Sequence, residues 1–144
     1  MRLTFPRPAR LAAPVVALVV ATGCGTHHDG ASERTQIIGV TERDFKISAP
    51  RLAHAGTVTF RVRNRGPVAH ELIVVRRGRY DLPLRTDDIT VDEDALEPVT
   101  AGALEPGSTG VRTLRVDLAP GRYELLCNMS GHYLGGMHAE LVVR

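Results

Sequence analysis

Residues 57–64, TVTFRVRN, alternate strictly, with Val58, Phe60 and Val62 on one side of an extended chain and Thr59, Arg61 and Arg63 on the other. Side chains of a strand point alternately to its two faces, so this segment has one face to bury and one to leave in water. LRVDL repeats the pattern, with Leu114, Val116 and Leu118 facing in. The runs QIIGV, FKI, HELIVV and HAELVV are short and apolar, and turn residues bound most of them. LAPGRYELLC passes from a Pro-Gly turn straight into another such run. About seven or eight strands in some 109 residues predict an all-β chain, a small Greek-key β-sandwich over residues 36–144.

One segment departs from the pattern. Residues 81–105 hold eight acids against one base, Arg85. TVDEDALEP predicts a helical turn or two that Pro98 stops. The remainder reads as a long connection between sheets, its acids forming a solvated surface rather than a docking site. The sequence has no internal repeat, no glycine-rich phosphate loop between strand and helix, and no nucleophile elbow.

The first quarter of the chain has another character. MRLTFPRPAR carries Arg2, Arg7 and Arg10 and no acid, and eleven residues without a polar side chain follow it. That run is shorter than the roughly 20 residues a spanning helix needs. Pro6, Pro8 and Pro14 also oppose a long helix. A basic, then apolar, then small order is that of a secretory signal peptide, expected over residues 1–23. The run ends in ATGC, which resembles a bacterial lipobox with Ala21 where Leu is usual. Cys24 is therefore expected to carry lipid and to begin the mature chain, with ordinary signal cleavage as the alternative. Residues 25–35, GTHHDGASERT, are small, polar and charged and read as a flexible tether, with His27 and His28 a solvated linker pair.

Removing residues 1–23 leaves fifteen basic against sixteen acidic residues, so the formal charge of +2 becomes about −1. No net basic field remains to attract phosphates, which argues against a nucleic-acid partner. The expected location is outside the cytoplasmic membrane, anchored as a bacterial lipoprotein, or secreted or periplasmic if Cys24 stays unmodified. With Cys24 lipidated, Cys127 is the chain's one thiol in an oxidising compartment, where unpaired thiols are usually exploited or absent.

Cys127, His132 and Met137 stand five positions apart in YELLCNMSGHYLGGMHAELVVR, between two strand-like runs. Gly131, Gly135 and Gly136 let the intervening loop fold back tightly, so it can present three donors toward one point. His70, in NRGPVAHELIVV, begins another strand 57 residues earlier. Two imidazoles, one thiolate and a weak thioether are the donors of a mononuclear blue-copper site. Zinc would take the same Cys and His ligands but gain little from a thioether. A binuclear copper centre needs two cysteines in the loop, where this chain has one. Singly, Met137 would be a core residue and Cys127 a small buried hydrophobe; the four together in this order reverse that reading. His138 follows Met137 on a strand and should face the opposite way, and His54 lies in a turn.

NRGPVAH ahead of a strand, with YELLCNMSGHYLGGM near the end of the chain, resembles the cupredoxin family of small blue-copper proteins over residues 36–144. The Cys-x4-His-x4-Met spacing is most similar to that of rusticyanin-like and sulfocyanin-like members. The resemblance implies that His70, Cys127 and His132 are equatorial ligands of one copper ion cycling between Cu(I) and Cu(II), and Met137 its axial ligand. Two departures stand out. Many members brace the ligand loop through an Asn directly after the first ligand His, where this chain has Glu71, and many carry a Pro inside the loop, where this chain has none. Asn64 is a candidate for bracing, or a turn former.

The resemblance implies an electron carrier, expected to be monomeric, that takes an electron from one extracytoplasmic redox protein and gives it to another. It would not be an enzyme. A copper nitrite reductase needs a second copper and further histidines, and a Cys127–His132 nucleophile lacks a third orienting group. The alternative is an extracytoplasmic carrier or buffer that hands over the copper ion itself.

Overall fold

The alternation in residues 57–64 sets how the chain packs. In the computed structural model, which describes residues 35–144 apart from 80, 88 and 109, Val58, Phe60 and Val62 are buried while Arg61 and Arg63 are exposed. The expected signal segment, Cys24 and all but the last residue of the expected tether lie outside the described residues. Among the described residues, nine strands form two sheets. The first has the order β2-β1-β4-β7, from Lys46–Ser48, Gln36–Arg43, Gly56–Asn64 and Val111–Leu118. The second has the order β3-β9-β8-β5-β6, from Leu52–Ala53, His138–Val143, Gly121–Leu126, His70–Arg76 and Thr100–Gly107. β1 runs parallel to β4, and β3 to β9, while the remaining pairs are antiparallel. The sandwich is therefore closed by crossovers between sheets rather than by hairpins alone.

The inner faces meet in one core. Ile38, Val40, Phe60, Val62, Val116 and Leu118 pack against Leu72, Val74, Leu125, Leu141 and Val143. Cys127 and Met137 belong to this same cluster, at the end where β8 stops and β9 starts. The metal-type donors are thus roofed onto the core.

Two strands lie beyond the sequence expectation. β3 is two residues long, too short for any periodicity to register. β6, TAGALEPG, occupies the end of the acidic segment expected to be a connection; its side chains are half-buried or exposed throughout, so it lacks a clean alternation. The helical turn is present as α1, Glu93–Leu96, N-capped by the Asp92 side chain, and a 3-10 turn over Glu97–Val99 contains Pro98. The rest of the acidic segment is a strap. Val91 and Leu96 are buried against Ile73, Val75 and Leu126, covering the outer face of the second sheet.

Candidate metal centre

His70 begins β5, and Cys127 follows the last residue of β8. The two strands are neighbours, with Ile73 opposite Leu126, which brings residues 57 positions apart to one end of one sheet. The β5–β6 register shifts between His70 and Leu72, an irregularity of the kind that re-aims a side chain at a sheet edge. One nitrogen each of His70 and His132 and the sulfur of Cys127 all lie within 4.8 Å of one another. Cys127 Sγ is 3.5 Å from His132 Nδ1. His70, Cys127 and Met137 are fully buried, and His132 is the half-exposed member.

The loop is held by its own backbone. The Cys127 N–H donates to the Met137 carbonyl at 3.1 Å, and the Met137 N–H donates to the His132 carbonyl at 2.9 Å. Gly131, at φ 75°, and Gly136, at φ 97°, take left-handed backbone that other residues enter only with strain. Gly135 is needed for a different reason: a Cβ there would collide with the ring of Phe45.

Their surroundings act on Cys127 and His70. Burial pushes the Cys127 thiol up, while backbone N–H groups of Glu71 and Met129 aimed at the sulfur pull it down. Burial lowers His70, and its neighbour His132 adds to that effect, so the imidazole is held neutral, the form that ligates metals. Asp44 opposes this shift. Its Oδ1 sits 3.1 Å from His70 Nε2, though off the line of a good hydrogen bond. His70 Nδ1 is buried with no hydrogen-bond partner. An orphaned ring nitrogen beside a buried thiol fits a cation-binding role, because the orphan otherwise costs free energy with nothing to offset it.

The ligand loop is braced without an Asn after His70 and without a Pro between Cys127 and Met137. Glu71 accepts the Asn128 N–H at 2.9 Å. The Asn128 side chain in turn accepts from Val91 N at 2.6 Å and donates to Val91 O at 2.9 Å and Glu93 Oε1 at 2.7 Å, tying the ligand loop to the strap. Asn64 both braces and turns: it donates to the carbonyls of Val68 and Gly107 and accepts from Gly66 N. Beneath the site, Arg112 reaches from β7 to Glu42 on β1 and to the His70 and Glu105 carbonyls, linking the two sheets. His138 faces the other way, pairing with Glu124 at 2.9 Å, and His54 is exposed in its turn.

Asp44, Phe45, Asn128 and Arg112 did not stand out in the sequence. Asp44 and Phe45 form the two-residue turn between β1 and β2, and Phe45 has φ 59°, a conformation a bulky residue rarely adopts. Its ring lies edge-on to His132 at 5.3 Å between centroids. Phe45, Leu134, Val68 and Ile89 are exposed apolar residues near this end of the sandwich.

No protein-family model matches the chain, and no curated protein matches it in sequence. Solved structures do match. Dithionite-reduced auracyanin from the photosynthetic bacterium Roseiflexus castenholzii has a TM-score of 0.60 at 21% identity, over 76% of this chain and 98% of that one. Auracyanin A, a "blue" copper protein from the green thermophilic photosynthetic bacterium Chloroflexus aurantiacus, has a TM-score of 0.57 at 19% identity, over 75% and 98%. Reduced rusticyanin has a TM-score of 0.54 at 13% identity, over 76% and 80%. At such identities the likeness is one of fold.

Proposed function

We propose, on the premise that the chain has the cupredoxin fold, that it is a mononuclear blue-copper electron-transfer protein tethered outside the cytoplasmic membrane through Cys24. One observation carries the reading: a nitrogen of each of two imidazoles and a thiol sulfur lie within 4.8 Å of one another, the thiol and one imidazole on a loop that also buries a thioether. His70, Cys127, His132 and Met137 would hold the ion, a donor set that suits copper in both oxidation states. Copper bound there supplies the one-electron couple Cu(I)/Cu(II).

The chain supplies rigidity and dryness. The amides of Glu71 and Met129 share the charge of a Cys127 thiolate, and the hydrogen bonds from the Asn128 N–H to the Glu71 carboxylate and from the Met137 N–H to the His132 carbonyl hold the donors in place. Donors held this way move little when an electron arrives, which keeps the barrier to transfer low. His132, the half-exposed donor, with Phe45 and Leu134 near it, gives an extracytoplasmic redox partner its shortest approach. A carrier that hands over the ion would offer open donors, and three of these four are fully buried.

The test is the visible spectrum. Copper(II) loading should give an intense thiolate-to-copper band that Cys127→Ser abolishes, while Met137→Leu should keep the band and raise the reduction potential. A spectrum unchanged by Cys127→Ser would sink the assignment.

A further inference from the structure

The outer face of the β2-β1-β4-β7 sheet carries mostly positive charge. Arg43, Lys46, Arg61, Arg63, Arg65 and Arg115 are all exposed on it or at its end, and none makes an ion pair among the described residues. The acid on these strands' outer face is Asp117, whose Oδ1 accepts the Thr57 hydroxyl at 2.6 Å. Register interleaves the cations with small or neutral neighbours: Arg61 lies opposite Gly39 and Thr113, Arg63 opposite Thr41 and Val111, and Arg115 opposite Thr59. Gly39 leaves a shallow trough of about 400 Å³ with Ile37 and Val111, both exposed, among its walls. The opposite face of the sandwich is covered by the acidic strap, with Asp87, Asp92, Glu93, Asp94 and Glu97.

We infer that this basic sheet face is a docking surface for anionic phospholipid headgroups, and that it lays the domain sideways on the membrane. The inference takes from the functional reading above only the placement of the chain at a membrane. Residues 25–35 lead directly into β1 of this sheet and, fully extended, reach at most about 40 Å, which keeps the face within range of the bilayer. An anionic surface attracts the arginine face and repels the strap, so the field of the domain alone selects this orientation. Ile37 and Val111 add apolar area at the headgroup level. An acidic protein is the competing occupant. The cations, however, continue down the strands from Arg43, Lys46, Arg63 and Arg65 at the donor end to Arg61 and Arg115, so they line a whole sheet face instead of stopping at the end where a redox partner must sit. β1 enters at Gln36, and the donors lie past its far end, about 25 Å away at strand rise. Laid on this face, the domain keeps its donor end open at the side.

The test uses copper-loaded chain from residue 24 onward carrying Cys24→Ser, so that no lipid contributes. Its sedimentation with phosphatidylcholine vesicles, with and without phosphatidylglycerol, measures binding. Binding is expected with the anionic vesicles alone and should weaken as salt is added. Arg61→Gln/Arg63→Gln/Arg115→Gln should lower the partition constant on the order of 100-fold, at about fivefold per cation. Arg76→Gln/Arg79→Gln/Arg122→Gln removes the same charge elsewhere and should leave binding near the parent value. Equal losses in the two triple variants, or equal binding to neutral vesicles, would overturn the inference. So would vesicles left unbound while polyglutamate binds the face, which would assign it to an acidic protein. The copper spectrum of each variant reports folding and the metal site, and the mass of residue 24 in the parent chain with Cys24 intact reports lipidation, so failure of those readings is scored apart from failure here.

Discussion

The Glu71 carboxylate accepts the backbone N–H of Asn128 at 2.9 Å, joining the residue after His70 to the residue after Cys127. The longer acid performs from β5 the bracing that an Asn at this place performs in many cupredoxins. Asn128 extends the brace outward to Val91 and Glu93 in the strap, so the donor loop and the acidic segment stand or fall together.

Cutting this brace leaves the buried Asn128 N–H without a partner. Glu71→Leu should therefore cost about 1–3 kcal/mol in chemical unfolding of the metal-free chain. Glu71→Gln keeps an acceptor oxygen and should cost much less. Equal losses in the two variants would show that the charge, not the hydrogen bond, is what matters.

Leu134 is 53% exposed on the donor loop, two residues past His132. A charge there should hinder close approach of a partner to the His132 edge without touching the donors. Leu134→Lys is expected to slow self-exchange of electrons several-fold and to leave the thiolate-to-copper band in place. Unchanged exchange with Leu134→Lys, alongside a collapse when Asp92 and Asp94 are changed to Asn, would move the electron-transfer surface to the strap.

Glu42 is the polar member of the inward row Ile38, Val40, Glu42, and is fully buried. Burial raises its pKa from 4.5 to about 7 against the opposing Arg112 guanidinium 3.3 Å away. The folded chain thus keeps a proton that the unfolded chain has released. The associated stability is fully present below about pH 4.5 and is lost as pH rises through about 7. Its ceiling is on the order of 3 kcal/mol. Thermal unfolding of the metal-free chain should therefore show a midpoint that falls between pH 5 and pH 8. Glu42→Gln should flatten most of that fall; Glu71, also raised by burial, contributes a slope of the same sign, and His70, lowered by burial, one of the opposite sign. A slope that survives Glu42→Gln intact would assign it to another group.

The sequence by itself determined the sandwich and placed three candidate donors on one loop. Alternation in residues 57–64 and 114–118 is local, and a strand with one apolar face must be covered whatever the rest of the chain does. Cys127, His132 and Met137 share one short loop, so their spacing could be read directly. Only the tertiary structure made β5 and β8 neighbours and so carried His70 to that loop. It also decided what surrounds the donors: Asp44 beside His70, Phe45 on His132, Asn128 tied to the strap, and Arg112 spanning the sheets. The acidic residues 81–105, which as sequence looked like a solvated connection, became in part β6 and in part a cover for the second sheet. Periodicity says which side of a strand turns inward; it does not say which strands become neighbours. Hydrogen bonds, charge pairs and the sign of a whole face depend on that neighbourhood, and it exists only once the sheets have assembled.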